Sequence, residues 1–301
     1  GAVISASHNP AEFNGIKFFA ANGEKIPDGR ERETEKLLEG AHSLSRPSKI
    51  VPARRYPEGP AEYMRFLKSS VPRGFSLKGL KWVADCANGS ACGFAPKLLR
   101  SFGAQVTAIN CKPDGKNINL KCGALHPELL QQAVTAERAH GGCAFDGDAD
   151  RVLFVDEKGR VQDGDILLTL LAEYMKSKNR LKNSAVVTTV MANFGFFEEM
   201  KKRGIKVITT AVGDKAVSDA MKTSGAKLGG EQSGHIIFSD ELPTGYGPLT
   251  MLKVLEAYRG SGRPLSSFTD SFRKFPQVLM NLKVSERVPL DTVPKVQSAI
   301  R

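Results

Sequence analysis

The 301-residue sequence contains no apolar run that approaches the roughly 20 residues a membrane-spanning helix requires. It therefore predicts a protein with no membrane partner. Cysteine is scarce too, and no two cysteines form a C-x-x-C pair. An odd number of cysteines without metal-type spacing argues against a disulfide framework and predicts reduced thiols in a cytoplasm. The five cysteines are Cys86, Cys92, Cys111, Cys122 and Cys143.

Acidic residues are outnumbered, since 43 lysines and arginines face 32 aspartates and glutamates and give a formal net charge of +11. Such a balance suits nucleic acid, anionic lipid or a phosphorylated small molecule. The basic residues are dispersed, however, and lack interleaved aromatic side chains. This pattern disfavours nucleic acid as a partner, so a phosphorylated small molecule fits the charge best.

Short apolar runs alternate with amphipathic stretches along the sequence, which is typical of an α/β fold. A proline-rich stretch at 46–60 predicts a linker. After it, residues 61–156 and 163–260 predict two successive α/β units with mainly parallel sheets. Ligands bind at the carboxyl ends of parallel strands, so the loops after "AVI", "CAF" and "KLGG" are the candidate functional loops.

The two ends of the sequence are unusual for an α/β protein. The chain begins on an apolar run at 2–4, predicted to be the buried end of a strand, with nothing before it. Residues 276–301 predict one strand, a linker and the start of a helix. We therefore expect a fragment of a longer protein, cut at both ends.

The first candidate loop, "SASHNP", follows the strand at 2–4. Pro10 lacks an N–H and keeps Asn9 out of the helical region, so the strand ends in a turn. One interpretation is a plain turn whose hydroxyls satisfy local backbone groups. The other is a nucleophilic or phosphate-carrying Ser7 with His8 as its proton or hydrogen-bond partner. Taken alone, this loop leaves both interpretations open.

The second candidate loop, "FDGDADR", places three carboxylates at alternate positions, in Asp146, Asp148 and Asp150. Carboxylates this close repel one another unless a cation neutralises them, and hard oxygen ligands favour Mg²⁺ or Ca²⁺. A solvated turn is one alternative. A calcium-binding EF-hand is another, but Arg151 occupies its glycine position and strands rather than helices flank the loop. We therefore predict Mg²⁺, with Arg151 as a further phosphate contact.

The third candidate loop, "GGEQSGH", presents Glu231, Ser233 and His235 between glycines. A carboxylate, a hydroxyl and an imidazole suit the recognition of vicinal sugar hydroxyls, although a tight turn with an exposed glutamate fits equally well. The segment "TAVGDK" ends another predicted strand with Lys215, which suits an anion or the plain start of a helix.

The three loops together resemble those of the α-D-phosphohexomutase superfamily, whose members move a phosphate between the 1- and 6-positions of a hexose. "SASHNP" resembles the phosphoserine loop, "DGDADR" the magnesium loop and "GEQSGH" the sugar-binding loop, in the order of the superfamily. The closest resemblance is to bacterial members that act on glucosamine phosphates. It rests on "ISASHNP", "NGIKFF", "CGALHPE", "VMANFGF" and "FPQVLMN" as well as the sugar loop.

The resemblance implies successive three-layer α/β domains with mixed, largely parallel sheets. It divides the chain into a partial first domain with the phosphoserine loop at 1–57 and a second domain with the metal loop at 58–158. A third domain with the sugar loop follows at 159–272, and a truncated fourth begins at 273–301. Because most of the fourth domain would be absent, we expect this piece to bind Mg²⁺ and show little mutase activity.

The resemblance also assigns roles. Ser7 carries the phosphate, and Mg²⁺ is held by that phosphate together with Asp146, Asp148 and Asp150. His8 and Lys17 are the basic residues near the transferred group, and Lys17 exchanges a proton there if burial lowers its pKa. The implied substrate-binding residues are Arg151, Lys215, Glu231, Ser233 and His235.

The implied reaction interconverts glucosamine 6-phosphate and glucosamine 1-phosphate through a bisphosphate. Three residues depart from the pattern of the superfamily: Lys215 replaces an arginine, Tyr246 an aspartate and Ala124 a serine. These departures keep mannose and glucose phosphates open as alternative substrates. A non-catalytic phosphosugar-binding module is the alternative from another class, and a homodimer is left open.

Overall fold

A computed structural model describes residues 1–39, 52, 54–278, 288–289 and 292–300 of the chain. Its strands are β1 (Ala2–Ile4), β2 (Ile16–Phe18), β3 (Lys81–Asp85), β4 (Gln105–Ile109), β5 (Gly141–Phe145), β6 (Val152–Asp156), β7 (Val161–Gln162), β8 (Ala185–Thr189), β9 (Lys206–Thr210), β10 (Leu228–Gly230) and β11 (Ile236–Phe238). Its α-helices are α1 (Asp28–Glu39), α2 (Gly59–Ser69), α3 (Ala95–Ser101), α4 (Glu128–Ala136), α5 (Gly164–Ser177), α6 (Phe194–Lys202), α7 (Asp214–Ser224), α8 (Gly247–Ser261), α9 (Ser266–Ser271) and α10 (Pro294–Ile300). Of these helices, none is both long and apolar enough to span a bilayer.

The first strand is present but exposed, so its predicted burial is wrong. β1 pairs antiparallel with β2, and the two form a separate two-stranded sheet. Val3 is 46% exposed and Ile4 is 77% exposed. A two-stranded ribbon has too little surface to bury both of its faces, and the described residues add no third strand to it.

The second sheet has five strands in the order β4-β3-β5-β6-β7. β3 runs parallel to β4 and β5, while β5–β6 and β6–β7 pair antiparallel. The connection between β6 and β7 forms a hairpin that turns at 157–159. α4 covers one face of this sheet, where Leu130 and Val134 pack against Val83. Gly142 allows this close approach, since a Cβ there would lie 2.6 Å from Leu130 Cδ1.

The third sheet has four strands in the order β11-β10-β8-β9. β8 runs parallel to β9 and β10, and β10 pairs antiparallel with β11. α7 covers one face through Val217 and Met221. The sequence patterns gave no indication of β11 or α9, because both are short and lack a clear periodicity.

The remaining faces of both large sheets share one core, which encloses α5 and α8. The middle of α5 is apolar all round, with Leu167, Leu168 and Leu171 essentially buried. The helix starts at an N-cap, where Asp163 Oδ1 accepts a hydrogen bond of 3.3 Å from the backbone N–H of Ile166. The expected α/β class with three layers and mixed sheets is therefore confirmed.

Two predicted segments fall partly outside the described residues. They are the linker at 46–60, of which 46–51 and 53 lie outside, and most of the strand near the start of 276–301. The helix predicted at the end of the sequence is confirmed as α10. The three candidate loops are all described, and they follow β1, β5 and β10.

Candidate active site

The Ser7 turn presents its hydroxyl to the acidic loop. Ser7 adopts a left-handed backbone conformation with φ of 52°, which few residues other than glycine adopt, so its neighbours must hold it there. Its backbone N–H donates to Ser5 Oγ at 2.9 Å, and its carbonyl accepts from Asn119 Nδ2 at 2.9 Å. The Ser7 hydroxyl donates to Asp146 Oδ2 at 3.0 Å. A turn held on both sides thus aims Ser7 at the first aspartate.

The acidic loop connects β5 to β6 and gathers its three carboxylates. One oxygen from each of Asp146, Asp148 and Asp150 lies within 4.8 Å of the others. The loop closes on itself, because the backbone N–H of Arg151 donates to Asp146 Oδ1 at 3.1 Å. Ala149, in the middle, adopts a left-handed φ of 61° and donates its N–H to the Asp146 carbonyl at 3.1 Å.

The carboxylates have unequal electrostatic environments. Burial, together with the negative charges of Asp150 and Asp148, raises the pKa of Asp146 to about 8. Burial acts in the same direction on Asp150. There, the contact with His235 and the positive charges of Lys17 and Arg151 outweigh burial and hold the pKa of Asp150 well below its usual range. The site therefore needs further positive charge before all three carboxylates ionise near neutral pH.

The residues of the loop fit a hard divalent cation. Asp148 Oδ1 and Asp150 Oδ1 are buried and have no hydrogen-bond partner among the described residues. Such orphaned oxygens are costly unless a ligand satisfies them. Every donor atom in the set is an oxygen, which Mg²⁺ and Ca²⁺ prefer over softer metals. The carboxylate spacing and the free oxygens together suit a hard divalent cation.

Lys17 lies directly against this loop. Its ammonium donates to Asp148 Oδ2 at 2.7 Å and to Asp150 Oδ2 at 3.3 Å. Burial by itself lowers the pKa of Lys17, but the hydrogen bond to Asp148 and the charges of Asp150 and Asp148 raise it above its ordinary value. The condition for proton exchange by Lys17, a lowered pKa, is therefore not met in this arrangement. Lys17 is a protonated counter-charge to the aspartates.

His8 and Arg151 border the same site. Burial, assisted by the positive charge of Arg151, lowers the pKa of His8, so its imidazole is neutral near pH 7. His8 Nδ1 is buried without a hydrogen-bond partner in the described part of the chain. The guanidinium of Arg151 lies 3.8 Å from Asp150, and its Nε is likewise unsatisfied by any described residue. Both side chains have free polar atoms for an incoming ligand.

The Glu231 loop is anchored to the acidic loop through its backbone. The N–H of Val152 donates to the Gly234 carbonyl at 3.2 Å, and a Cβ on Gly234 would lie 2.4 Å from the Val152 oxygen. Glu231 Oε1 accepts from the Gly213 N–H at 3.1 Å, and Ser233 Oγ donates to Glu231 Oε2 at 3.5 Å. The Ser233 side chain is exposed, so the loop presents a hydroxyl and a carboxylate together.

His235 is buried below this loop rather than presented on it. It is 3% exposed, and its Nε2 accepts a hydrogen bond of 3.1 Å from the Gly245 N–H. Its Nδ1 lies 3.8 Å from Asp150 and its Nε2 lies 3.9 Å from Asp214. Asp214 in turn pairs with Lys25 at 2.5 Å. These contacts connect the acidic loop, the start of α7 and the segment after β2.

Lys215 stands in the first turn of α7, next to Asp214, and its backbone N–H donates to Asp214 Oδ1 at 2.8 Å. The structure therefore gathers Ser7, Lys17, Arg151 and the aspartates into one cluster, bordered by His8. Glu231 and Ser233 lie on the neighbouring loop, which Gly213 connects to the turn before Lys215.

Sequence reasoning missed several supporting residues. Ser5 donates its hydroxyl to Asp148 Oδ2 at 2.6 Å, and Asn119 donates to the carbonyls of Ser7 and Asn9. Ser5 belongs to the candidate loop "SASHNP" and Asn119 to the string "NIN", and neither string indicates these long-range contacts. Their partners are distant in sequence, so local patterns could not assign these contacts.

Gly147 offers a test of how closely the acidic loop must pack against the Ser7 turn. A Cβ at this position would lie 2.6 Å from the Ser7 carbonyl oxygen and 2.7 Å from Asn119 Nδ2. Gly147→Ala should push the Ser7 turn away and slow the phosphate transfer expected at Ser7 by at least about tenfold, given the steep dependence of rate on orientation. Gly93→Ala is the matched control, since a Cβ there meets nothing within 4 Å. Equal transfer rates in the two variants would contradict the close packing.

The layered α/β fold with the Ser7–aspartate cluster is that of a phosphohexomutase-like protein, and comparison with known proteins agrees. The family described as phosphoglucomutase/phosphomannomutase matches through its alpha/beta/alpha domain I at residues 1–44, domain II at 61–159 and domain III at 163–275. The chain belongs to the phosphoglucomutase/phosphomannomutase family.

Curated proteins of similar sequence include phosphoglucosamine mutases. The chain is 45% identical to a phosphoglucosamine mutase of Anaeromyxobacter sp. (strain Fw109-5) over 307 residues, covering 100% of this chain and 66% of that protein. It is also 45% identical over 303 residues to the phosphoglucosamine mutase of Moorella thermoacetica, covering 100% of this chain and 68% of that protein. The chain thus spans about two thirds of the length of these relatives.

Solved structures share the fold. A phosphoglucomutase/phosphomannomutase family protein from Burkholderia thailandensis matches with a TM-score of 0.75 and 26% identity, over 89% of this chain and 57% of that chain. An Aspergillus fumigatus N-acetylphosphoglucosamine mutase, solved with GlcNAc-6P and magnesium, matches with a TM-score of 0.74 and 21% identity. That match covers 95% of this chain and 75% of the other, and at this identity it supports the fold alone.

Proposed function

We propose that this chain is the phosphoryl-transferring part of a phosphoglucosamine mutase. The reaction interconverts glucosamine 6-phosphate and glucosamine 1-phosphate. The observation that carries the proposal is the hydrogen bond of 3.0 Å from the Ser7 hydroxyl to Asp146, in a loop whose three carboxylates converge. The 45% identity to proteins named phosphoglucosamine mutase supports the choice of sugar.

In the proposed reaction, Ser7 begins as a phosphoserine. The O1 hydroxyl of glucosamine 6-phosphate attacks the phosphorus, so the bond from phosphorus to Ser7 Oγ breaks and a bond from phosphorus to O1 forms. The O1 proton leaves and Ser7 Oγ takes up one proton, which conserves charge. The resulting bisphosphate turns over in the site, and its 6-phosphate returns to Ser7 in the reverse chemistry. The net change is one phosphate moved from O6 to O1.

Mg²⁺ would be held by Asp146, Asp148 and Asp150 together with an oxygen of the Ser7 phosphate. When bound, the ion neutralises the phosphoryl charge and polarises the group under attack. The chain supplies the rest of the positive charge. Lys17 holds two of the aspartates at 2.7 and 3.3 Å, which fixes their orientation for the phosphoserine.

The proposed proton acceptor is His8, because its imidazole is neutral near pH 7 and its buried Nδ1 lacks a partner among the described residues. Arg151, whose Nε is similarly unsatisfied, would bind a phosphate oxygen of the substrate. Lys17 would remain protonated throughout, as the aspartates raise its pKa. In this assignment His8 transfers the proton, and Lys17 compensates the negative charge of the aspartates.

Glu231 and Ser233 would bind the sugar hydroxyls, and Lys215 would contact a phosphate as a less directional ligand than arginine. His235 would act as a positioning residue, since it is buried between Asp150 and the Gly245 backbone. We further propose domain divisions at 1–57, 58–158, 159–272 and 273–301. We also propose that the protein is located in the cytoplasm and forms a homodimer.

The preference for glucosamine can be measured as a half-reaction. The chain would be charged on Ser7 with labelled glucose 1,6-bisphosphate and Mg²⁺, freed of excess ligand and then mixed with a hexose 6-phosphate. Glucosamine 6-phosphate should discharge the label at least about tenfold faster than mannose 6-phosphate. One charge-assisted hydrogen bond to the amino group, of about 1.5–3 kcal/mol, is enough for such a ratio.

Faster discharge by mannose or glucose 6-phosphate would instead identify a phosphomannomutase/phosphoglucomutase. A chain that binds these sugars but never accepts the label would be a non-catalytic phosphosugar-binding module. Glu231→Gln serves as the internal comparison, because it keeps the side-chain volume and the hydrogen bonding to sugar hydroxyls while removing the negative charge that would favour the ammonium group of glucosamine. This variant should lose the preference for glucosamine 6-phosphate and retain measurable discharge.

A further inference from the structure

Three of the five cysteines meet at one edge of the second sheet. Cys86 directly follows β3, Cys111 lies just beyond β4, and Cys92 lies in a short 3₁₀ turn (Ser90–Gly93) between them. The Sγ atoms of these three residues all lie within 4.8 Å of one another. The cysteine spacing in the sequence gave no indication of this thiol cluster, because the fold brings together residues that are distant in sequence.

The topology explains the convergence. β3 and β4 are parallel neighbours with Asp85 opposite Ile109, so the residues that follow their carboxyl ends emerge side by side. The 3₁₀ turn then places Cys92 close to both Cys86 and Cys111. Cys92 Sγ lies 3.9 Å from the Cys86 carbonyl oxygen, and Cys111 Sγ lies 3.8 Å from the Cys92 carbonyl oxygen. Backbone contacts, rather than loose side chains, thus hold the three sulfurs together.

We propose that this thiol cluster binds a thiophilic d¹⁰ cation of the Zn²⁺ class. Three sulfurs bound to one zinc at about 2.3 Å each would lie about 3.8 Å apart in tetrahedral geometry. Closing from the observed separations needs about 1 Å of movement at most, which is within the reach of side-chain rotation. Thiolates select soft or borderline metals, whereas magnesium and calcium prefer oxygen.

The exposure of the three cysteines suits such a site. Cys86 is buried, while Cys92 and Cys111 are half-buried. Ions would therefore enter past Cys92 and Cys111, with Cys86 as the inner ligand. Three protein ligands leave one coordination position for water or a small thiol. All five cysteines are free in the structure, so no disulfide competes for these sulfurs.

The thiol cluster is close to the acidic loop but distinct from it. The backbone N–H of Ser90 donates to the Gly147 carbonyl at 2.9 Å, and Gly147 lies between two of the aspartates. The two sites nevertheless share no ligand and differ in donor chemistry, sulfur against oxygen. An experiment must therefore separate binding to thiolates from binding to carboxylates.

The test is a Cd²⁺ titration of the full 301-residue chain, reduced beforehand and kept in excess Mg²⁺ to occupy the carboxylates. Cadmium bound to thiolate produces an ultraviolet charge-transfer absorption that carboxylates do not. We expect this absorption to rise to one equivalent per chain and to fall when Zn²⁺ is added in large excess as competitor. Absence of the absorption at one equivalent in the unaltered chain would overturn the proposal, whatever the variants do.

Variants locate the site. Cys111→Ser and Cys92→Ser should each weaken Cd²⁺ binding by at least about tenfold, because one of three ligands is lost. Cys122→Ser is the matched control, since Cys122 is a buried free cysteine outside the thiol cluster. Circular dichroism would verify folding, and either cluster variant alone suffices for the test. Unchanged binding in a folded cluster variant, or equal weakening by Cys122→Ser, would contradict the assignment.

Discussion

Ser7→Ala should abolish phosphate transfer to and from the chain, with a loss on the order of 10⁴–10⁶-fold, the scale seen when a catalytic nucleophile is removed. The hydroxyl is the group that points at Asp146, at 3.0 Å, and alanine offers no oxygen to carry the phosphate. Label transfer from glucose 1,6-bisphosphate in the presence of Mg²⁺ measures the effect. The variant should also take up no label when incubated for long times.

Ser5→Ala is the matched control for this prediction. It deletes a hydroxyl in the same turn, one that donates to Asp148 at 2.6 Å and accepts from the Ser7 N–H at 2.9 Å. Because Ser5 supports the turn without carrying phosphate, its loss should slow transfer by roughly 10–100-fold, as for other outer-shell partners. Retention of near-normal labelling in Ser7→Ala would contradict the phosphoserine role, and total loss in both variants would leave Ser5 as a second candidate carrier.

Asp148→Asn should weaken Mg²⁺ binding by at least about 10–100-fold and reduce phosphate transfer together with it. The substitution keeps the volume of the side chain but removes one of three charges that a divalent cation requires. It also replaces a buried carboxylate oxygen, Oδ1, that has no hydrogen-bond partner in the described residues. Isothermal titration with Mg²⁺ gives the dissociation constant, and label transfer at saturating and limiting Mg²⁺ gives the coupled rate.

Asp219→Asn provides the charge-matched control, because Asp219 lies on the exposed side of α7 and its carboxylate is 59% exposed. This control removes the same charge from the chain and should leave Mg²⁺ affinity unchanged. If Asp148→Asn responds to Mg²⁺ as the parent does, the acidic loop is a turn rather than a metal site. A parallel loss in Asp219→Asn would show that net charge, not coordination, governs the binding.

Local sequence patterns were sufficient to find the candidate loops that meet in the structure. The three loops follow short strands, and each string contains residues whose chemistry is unusual for a plain turn. Asp146 and Ser7 were identified in this way, although 139 positions separate them. Parallel strands place their carboxyl ends together, so knowledge of the α/β class was enough to expect that such loops meet.

Long-range electrostatics could not be predicted in the same way. Whether the pKa of Lys17 falls or rises depends on the balance between burial and two carboxylates that are more than a hundred positions away. The exposure of Ile4 likewise depends on how many strands join β1, which a three-residue apolar run does not determine. The thiol cluster required the register of β3 against β4. These features come from packing between segments rather than from any local pattern.

The most direct measurement of the central claim is the position of the phosphate after the chain is incubated with glucosamine 1,6-bisphosphate and Mg²⁺. Intact mass followed by peptide fragmentation should show one added phosphate, and fragment ions should place it on Ser7. Chelation of Mg²⁺ before the incubation should prevent the addition. A chain that acquires no phosphate under these conditions, or carries it on a residue other than Ser7, would contradict the proposed phosphoserine mechanism.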